Sequence, residues 1–399
     1  MTSWAWNLVL SFLSRDWAGL ALALVVAVLG VWCISVARAR GATWATGVGY
    51  LVLGIAGMLA LGSIYHLVHM ARVRAQYPPP GEMVDIGGYA LHILAEGKAR
   101  GKPTIVWIPG GHSPGVELYQ LHKMLRDESR SILIDRPGSG WSDIGPFPRT
   151  TTLEASEVVA ALENSGENGP FVLVGHSFGG LLVANIARRY PENIAGVVLL
   201  DATPPDAINY SPLNPILRQM RRDAMLSAIQ RLFGIHPDVA QRRRGQDPNT
   251  KQTIDVIEKS MGEMFEKVQA LQAASRSACA GASIFAELDH GGLGWETTVY
   301  DGDLGDLPVF LVAPGHVPME EVLPVAKAME TIAGEGGGPG TIDATRLQRF
   351  YARTRERYLA TSSRSERIIA PEGTGHLFPF ETPEFVADVV RRMQEESRR

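Results

Sequence analysis

Cysteine is nearly absent from this chain. Two occur in 399 residues, Cys33 inside an apolar run and Cys279 far downstream, so neither a disulfide framework nor a cysteine-based zinc site is implied. An excess of positive charge is missing too: 38 Lys and Arg stand against 42 Asp and Glu. Without a broad basic face, no nucleic-acid partner is expected. Charge of either sign is lacking altogether from two stretches near the start. Trp17 to Ala37 (WAGLALALVVAVLGVWCISVA) and Ala42 to Met70 (ATWATGVGYLVLGIAGMLALGSIYHLVHM) contain no Asp, Glu, Lys or Arg. Each is long enough to cross a hydrocarbon core about 30 Å thick.

These runs predict an anchoring region over 1–74, a membrane hairpin with spans at about 17–37 and 43–68. No basic segment precedes the first run and a second span follows at once, which argues against a cleaved signal peptide. Arg38 and Arg40 in the turn favour one orientation; Arg15, Arg72 and Arg74 at the other end favour the reverse. The side of the membrane therefore stays open. Met1 to Ser14, with Trp4, Trp6 and Phe12, is too short to span and reads as an interfacial segment. His66 and His69, late in the second run, read as interfacial as well. A proline-rich linker, 75–80, then leads away from the membrane.

From Gly81 onward the pattern changes. EMVDIGG and YALHILAEG alternate around Gly87-Gly88 as a hairpin does, followed by short apolar runs at 103–109, 131–135, 171–175, 195–201, 307–313 and 366–371. Helix-length segments separate most of them. This predicts an α/β fold over 81–399, a mostly parallel sheet with helices on both faces after an antiparallel start. Residues of about 202–306 interrupt the alternation with helical, charge-rich sequence and read as an inserted lid. Its arginines (Arg218, Arg221, Arg222, Arg231 and 242–244) read as a solvated helix face in preference to a lipid-headgroup surface. GEGGGPG (334–340) reads as a loop.

One stretch carries chemistry. In FVLVGHSFGGLL, a serine sits in Gly175-His176-Ser177-Phe178-Gly179, between an apolar strand and an apolar helix. G-x-S-x-G alone is a weak signal. The strand–turn–helix setting strengthens it, because that turn strains the serine backbone and exposes its hydroxyl. A serine hydroxyl needs a base within hydrogen-bond reach, usually a histidine oriented by a carboxylate.

With these stretches in view, the chain from about Gly81 to Arg399 resembles an α/β-hydrolase. IVWIPGGHSPG (105–115) is similar to the family's oxyanion loop, and DRPGSGWSD (135–143) to its turn after strand 4. RYPENIAGVVLLDATPP (189–205) looks like the run into strand 6, and APEGTGHLFPFETPEFV (370–386) like the terminal histidine loop. The resemblance implies Ser177 as nucleophile and His376 as base, with an oxyanion hole from the N–H of Phe178 and that of Gly111 or its neighbour His112. His112, His176 and His316 read as pocket-lining or structural, and Asp135 as an anchor for its own turn. The family's aspartate after strand 7 is missing from PVFLVAPGHVPMEE. Asp201, after strand 6, is the preferred acid, with Asp343, Glu320 and Glu321 as alternatives.

The expected activity is that of a membrane-anchored serine hydrolase acting on an ester, hydrophobic or lipid-like, through an acyl-enzyme. No cofactor or metal is implied. The expected partners are a small acyl substrate and membrane lipid around the hairpin. Serine at the elbow argues against the family's epoxide-hydrolase and dehalogenase branches, which use aspartate there. Two alternatives remain: an aminopeptidase or amidase, with Glu258, Glu263 or Glu266 holding an ammonium group, and a non-catalytic binding protein, which His376 lacking a carboxylate would favour.

Overall fold

The computed structural model describes residues 3–206, 215–236, 248–275, 279–284, 298–315 and 355–398. Among the described residues, eight strands form one sheet: β1 (Glu82–Asp85), β2 (Ala90–Glu96), β3 (Thr104–Ile108), β4 (Ser131–Ile134), β5 (Phe171–His176), β6 (Ile194–Leu200), β7 (Val309–Ala313) and β8 (Ser365–Ile369). Their order is β1-β2-β4-β3-β5-β6-β7-β8. The β1–β2 and β2–β4 pairs are antiparallel and all the others parallel, as the apolar runs predict.

These strands are continuous apolar runs because both faces of the sheet are covered. Along β5, Val172 and Val174 join Trp107, Val198 and Phe310 in one core, closed by the helix Pro383–Glu396. Phe171 and Leu173 point the other way, to Val106, Ile108 and Leu199 and to two helices, α5 (Thr151–Asn164) and α6 (Phe178–Arg189). The period of two is therefore visible in which core each residue enters. A helix α4 (Tyr119–Leu125) follows β3. Thr150 caps α5, its hydroxyl accepting from the Leu153 N–H at 3.0 Å, which satisfies one of the orphan donors of the first turn.

The N-terminal region forms α1 (Ser3–Leu13), α2 (Ala18–Ala39) and α3 (Thr43–Gln76). Both α2 and α3 are long and apolar enough to cross a membrane. α3 continues beyond the expected span and takes the first two linker positions. Nothing in HMARVRAQ breaks a helix until Tyr77, which precedes the first proline and is steered out of the α region by it.

Between β6 and β7 the insertion holds α7 (Pro215–Leu232) and the helices Pro248–Met261 and Met264–Ala274. It packs on α1, α2 and α3. Leu10, Leu13, Ala18, Ala23 and Leu59 share one apolar cluster with Ala228, Leu232, Cys279 and Ala282. Ser63 Oγ donates to the Leu232 carbonyl at 3.1 Å, and a Cβ on Gly62 would stand 2.3 Å from the Phe233 backbone. Only glycine permits so close an approach. A second contact joins Met70 and Val73 to Leu271 and Ala274.

This packing adds to three readings. The first helix contributes buried core, with Leu10 fully covered. His66 is buried against the His236 ring, centroids 5.3 Å apart, and His69 lies 4.4 Å from the same ring. Both histidines have an aromatic partner from the insertion, which the sequence reading did not foresee. Of the basic residues there, Arg222 is exposed, while Arg231 is buried and donates to the Ala273 carbonyl at 2.9 Å. The Arg218 and Arg221 side chains, 242–244 and the loop 334–340 lie outside the described residues.

Candidate active site

Ser177 occupies the junction of β5 and α6 with φ 53° and ψ −120°. That left-handed region is costly for a residue with a Cβ and persists only where the surroundings impose it. Here they do. The Ser177 N–H donates to the Leu200 carbonyl at 3.0 Å, and the Ser177 carbonyl accepts from Thr203 N–H at 2.8 Å. A Cβ on Gly179 would stand 2.2 Å from the Ile108 carbonyl oxygen, so the turn is pressed against the end of β3.

Leu200 and Thr203 bracket Asp201, which closes β6. Its carboxylate accepts from His376 Nδ1 at 2.5 Å. Its other oxygen lies 2.5 Å from Arg355 Nη1, an ion pair that lacks hydrogen-bond alignment. Burial pushes the Asp201 carboxyl up, but the His376 bond and the Arg355 charge outweigh it and hold the group below the usual carboxylate range. The His376 side chain is half exposed, at 51%, against 5% for Asp201. Its ring packs on that of His176 at 4.6 Å. His176 Nε2 donates to the His376 carbonyl at 3.0 Å, fixing the backbone of the histidine loop. Burial first, and the His376 charge second, press the His176 ring down to about 3, so it stays neutral.

Behind the loop after β3 lies the buried Arg136. It donates to the Gly111 carbonyl and to that of Gly110 at 3.3 Å, and pairs with the buried Glu154 at 3.1 Å. Because trans peptides set C=O and the following N–H in opposite directions, Arg136 turns the N–H groups of Gly111 and His112 away from itself. His112 Nε2 donates to the Gly138 carbonyl at 3.0 Å. Burial, then the Arg136 charge, lowers its ring to about 4. Asp135 accepts from Gly115 N–H at 2.6 Å, His92 Nδ1 at 2.9 Å and Trp141 N–H at 3.0 Å, holding the loops on both sides of it.

A model of the alpha/beta hydrolase family matches residues 105–389. The chain belongs to this family. Among relatives of this chain, the uncharacterized protein YbdG of Bacillus subtilis is 28% identical over 140 residues, 35% of this chain and 42% of its own. Lipase LipV of Mycobacterium tuberculosis is 38% identical over 81 residues, 20% of this chain and 28% of its own. The chain thus spans less than half the length of either relative. Among solved structures, a mutant of a candidate epoxide hydrolase from Pseudomonas aeruginosa superposes with a TM-score of 0.51 at 14% identity. The superposition covers 81% of this chain and 98% of that one, a likeness of fold alone.

Of the acids considered for His376, Asp201 is the one in contact with it; Glu320, Glu321 and Asp343 lie outside the described residues, as does His316. Glu263 and Glu266 are exposed and Glu258 is half-buried. Two residues of the site escaped the sequence reading. Arg355 reaches Asp201 from 154 positions downstream with no motif around it, and also donates from Nε to the Ala202 carbonyl at 2.9 Å. Glu117 is the other. This buried carboxyl accepts from Ser113 Oγ at 3.0 Å.

Burial pushes Glu117 up to about 7, although the Ser113 hydroxyl and the Arg136 charge pull it back. The folded chain keeps this proton up to that pH, whereas the unfolded chain releases it near 4.5. Across that window the folded state binds more protons, so stability falls as pH rises. Glu117→Gln is expected to flatten the slope between about pH 5 and 7, a difference of up to ~3 kcal/mol. Urea melts at stepped pH check this, and parallel curves for both proteins would refute it.

Proposed function

We propose that this hydrolase is a membrane-anchored serine esterase acting on hydrophobic acyl esters through an acyl-enzyme on Ser177. The observation that carries the reading is the 2.5 Å contact of His376 Nδ1 with Asp201, beside a serine held in a strained turn. With the Nδ1 proton engaged by a carboxylate, Nε2 is left as the acceptor for a hydroxyl proton. Ser177 Oγ attacks the ester carbonyl as His376 takes its proton. The oxyanion is met by the N–H of Phe178, at the N-terminus of α6, and that of Gly111. His376 returns the proton to the leaving alcohol. A water then repeats the sequence and frees the acid.

Ester preference is supported by the match to the mycobacterial lipase. A hydrophobic substrate is supported by the two apolar helices and by Leu226, Phe233 and Ile235, exposed on the insertion. The non-catalytic alternative needs a His376 without a carboxylate, and Asp201 counts against it. The exposed Glu263 and Glu266 lend nothing to an aminopeptidase. The test is a fluorophosphonate probe on the full chain in detergent, followed by peptide mapping. Labelling at Ser177 is expected; folded protein that takes no label, or takes it elsewhere, would overturn the mechanism.

A further inference from the structure

A cleft of about 820 Å³ separates the membrane helices from the sheet. Its walls include Arg15 and Trp17 from the α1–α2 junction, Met70 and Arg74 from the end of α3, Trp141 from the loop after β4, and Leu271 of the insertion. Two carboxylates also line it, and both are engaged. Asp143 accepts from Ala90 N–H at 2.9 Å, and Asp16 faces His66 at 3.6 Å. Arg15 and Arg74 are exposed, and neither has a carboxylate partner among the described residues.

Two arginines and two carboxylates line the cleft, so its formal charge is balanced, but the two exposed guanidinium groups are not paired with those carboxylates, and their position says what would pair them. Arg74 follows just after the charge-free run that ends at Met70, and Arg15 just precedes the run that begins at Trp17. Trp17, at 55% exposure, is the kind of aromatic that settles at the headgroup level. At that depth the abundant anion is a lipid phosphate, which a planar guanidinium binds through paired N–H donors. Met70 and Leu271 offer an apolar wall beside it.

We propose that the cleft binds the phosphate of an anionic glycerophospholipid from the adjoining leaflet. Arg15 and Arg74 hold the phosphate, and Met70 and Leu271 lie against the acyl chains. A lipid there would touch the hairpin, the insertion and the sheet domain at once. This rests on the membrane placement proposed above, so the two are tested separately.

The experiment titrates short-chain phosphatidic acid, short-chain phosphatidylcholine and inorganic phosphate into the full chain in neutral detergent. Tryptophan fluorescence is the readout, since Trp17 and Trp141 line the cleft. Phosphatidic acid is expected to bind at least about tenfold tighter than phosphatidylcholine. Arg15→Gln with Arg74→Gln is expected to abolish that preference without lowering the melting temperature, while Arg40→Gln, at the opposite end of the hairpin, keeps it. Equal affinity for the two lipids, a preference that survives the double variant, or inorganic phosphate binding as tightly as the lipid would overturn the proposal. Flotation with neutral liposomes tests the anchor alone. A chain that fails to float refutes the membrane placement, and one that floats without headgroup preference refutes only the cleft.

Discussion

Replacing Ser177 by alanine is expected to lower hydrolysis of a medium-chain p-nitrophenyl ester by about 10⁴-fold or more. The fold should be untouched, because the bonds that Ser177 makes to Leu200 and Thr203 are backbone bonds that alanine preserves. Alanine also inherits the strain at φ 53°. Glycine does not. Ser177→Gly is therefore expected to be as inactive as the alanine variant and more stable, by ~1 kcal/mol or somewhat more. Activity tracks the hydroxyl and stability tracks the Cβ, so the pair separates chemistry from folding. If Ser177→Ala kept even a tenth of the parent rate, the proposed nucleophile would be wrong.

Asp201→Asn is expected to cost about 10³- to 10⁴-fold in kcat. An amide has a proton-bearing nitrogen to present to His376 Nδ1, which moves the ring proton to Nε2 and leaves no acceptor facing the serine. The same change strips Arg355 of its carboxylate partner, so some stability is lost as well. Arg355→Ala makes the comparison clean, since it removes the ion pair and spares the bond to His376. It is expected to lose much less rate than Asp201→Asn. Because the Asp201 carboxyl is held below the usual carboxylate range, its stabilising contribution is present above the unfolded-state pKa. That contribution is lost only as pH falls through the depressed folded-state pKa. A fall in activity just below neutrality then belongs to another group. Comparable rates for Asp201→Asn and the parent would move the acid elsewhere.

How much of this could be read from the sequence depended on how local the cause was. The strands were legible because each is a short apolar run between polar turns, and the elbow because strand, turn and helix are contiguous. Asp201 could be nominated from chain order, since it closes a strand between the serine and the histidine. Contacts across long separations with no motif around either partner left no trace. Arg355 sits in an unremarkable basic stretch, and Glu117 looks like one more surface carboxylate until burial is known. The helix α3 runs longer than its apolar run because backbone geometry at Tyr77, and not hydropathy, ends it. The packing of His236 on His66 and His69 was not legible because His236 lies far downstream of both.

The packing of the insertion on the N-terminal helices bears on how the protein is handled at the bench. A shortened chain starting at Gln76 looks like the natural soluble preparation. It would discard Leu10, Ala23, Leu59 and Ser63 and uncover Ala228, Leu232, Cys279 and Ala282. Met70 and Val73 would also leave Leu271 and Ala274. Such a preparation carries a fresh apolar scar on the insertion. Aggregation or weak turnover in it would report on the cut, and the protein is better assayed with its helices in place.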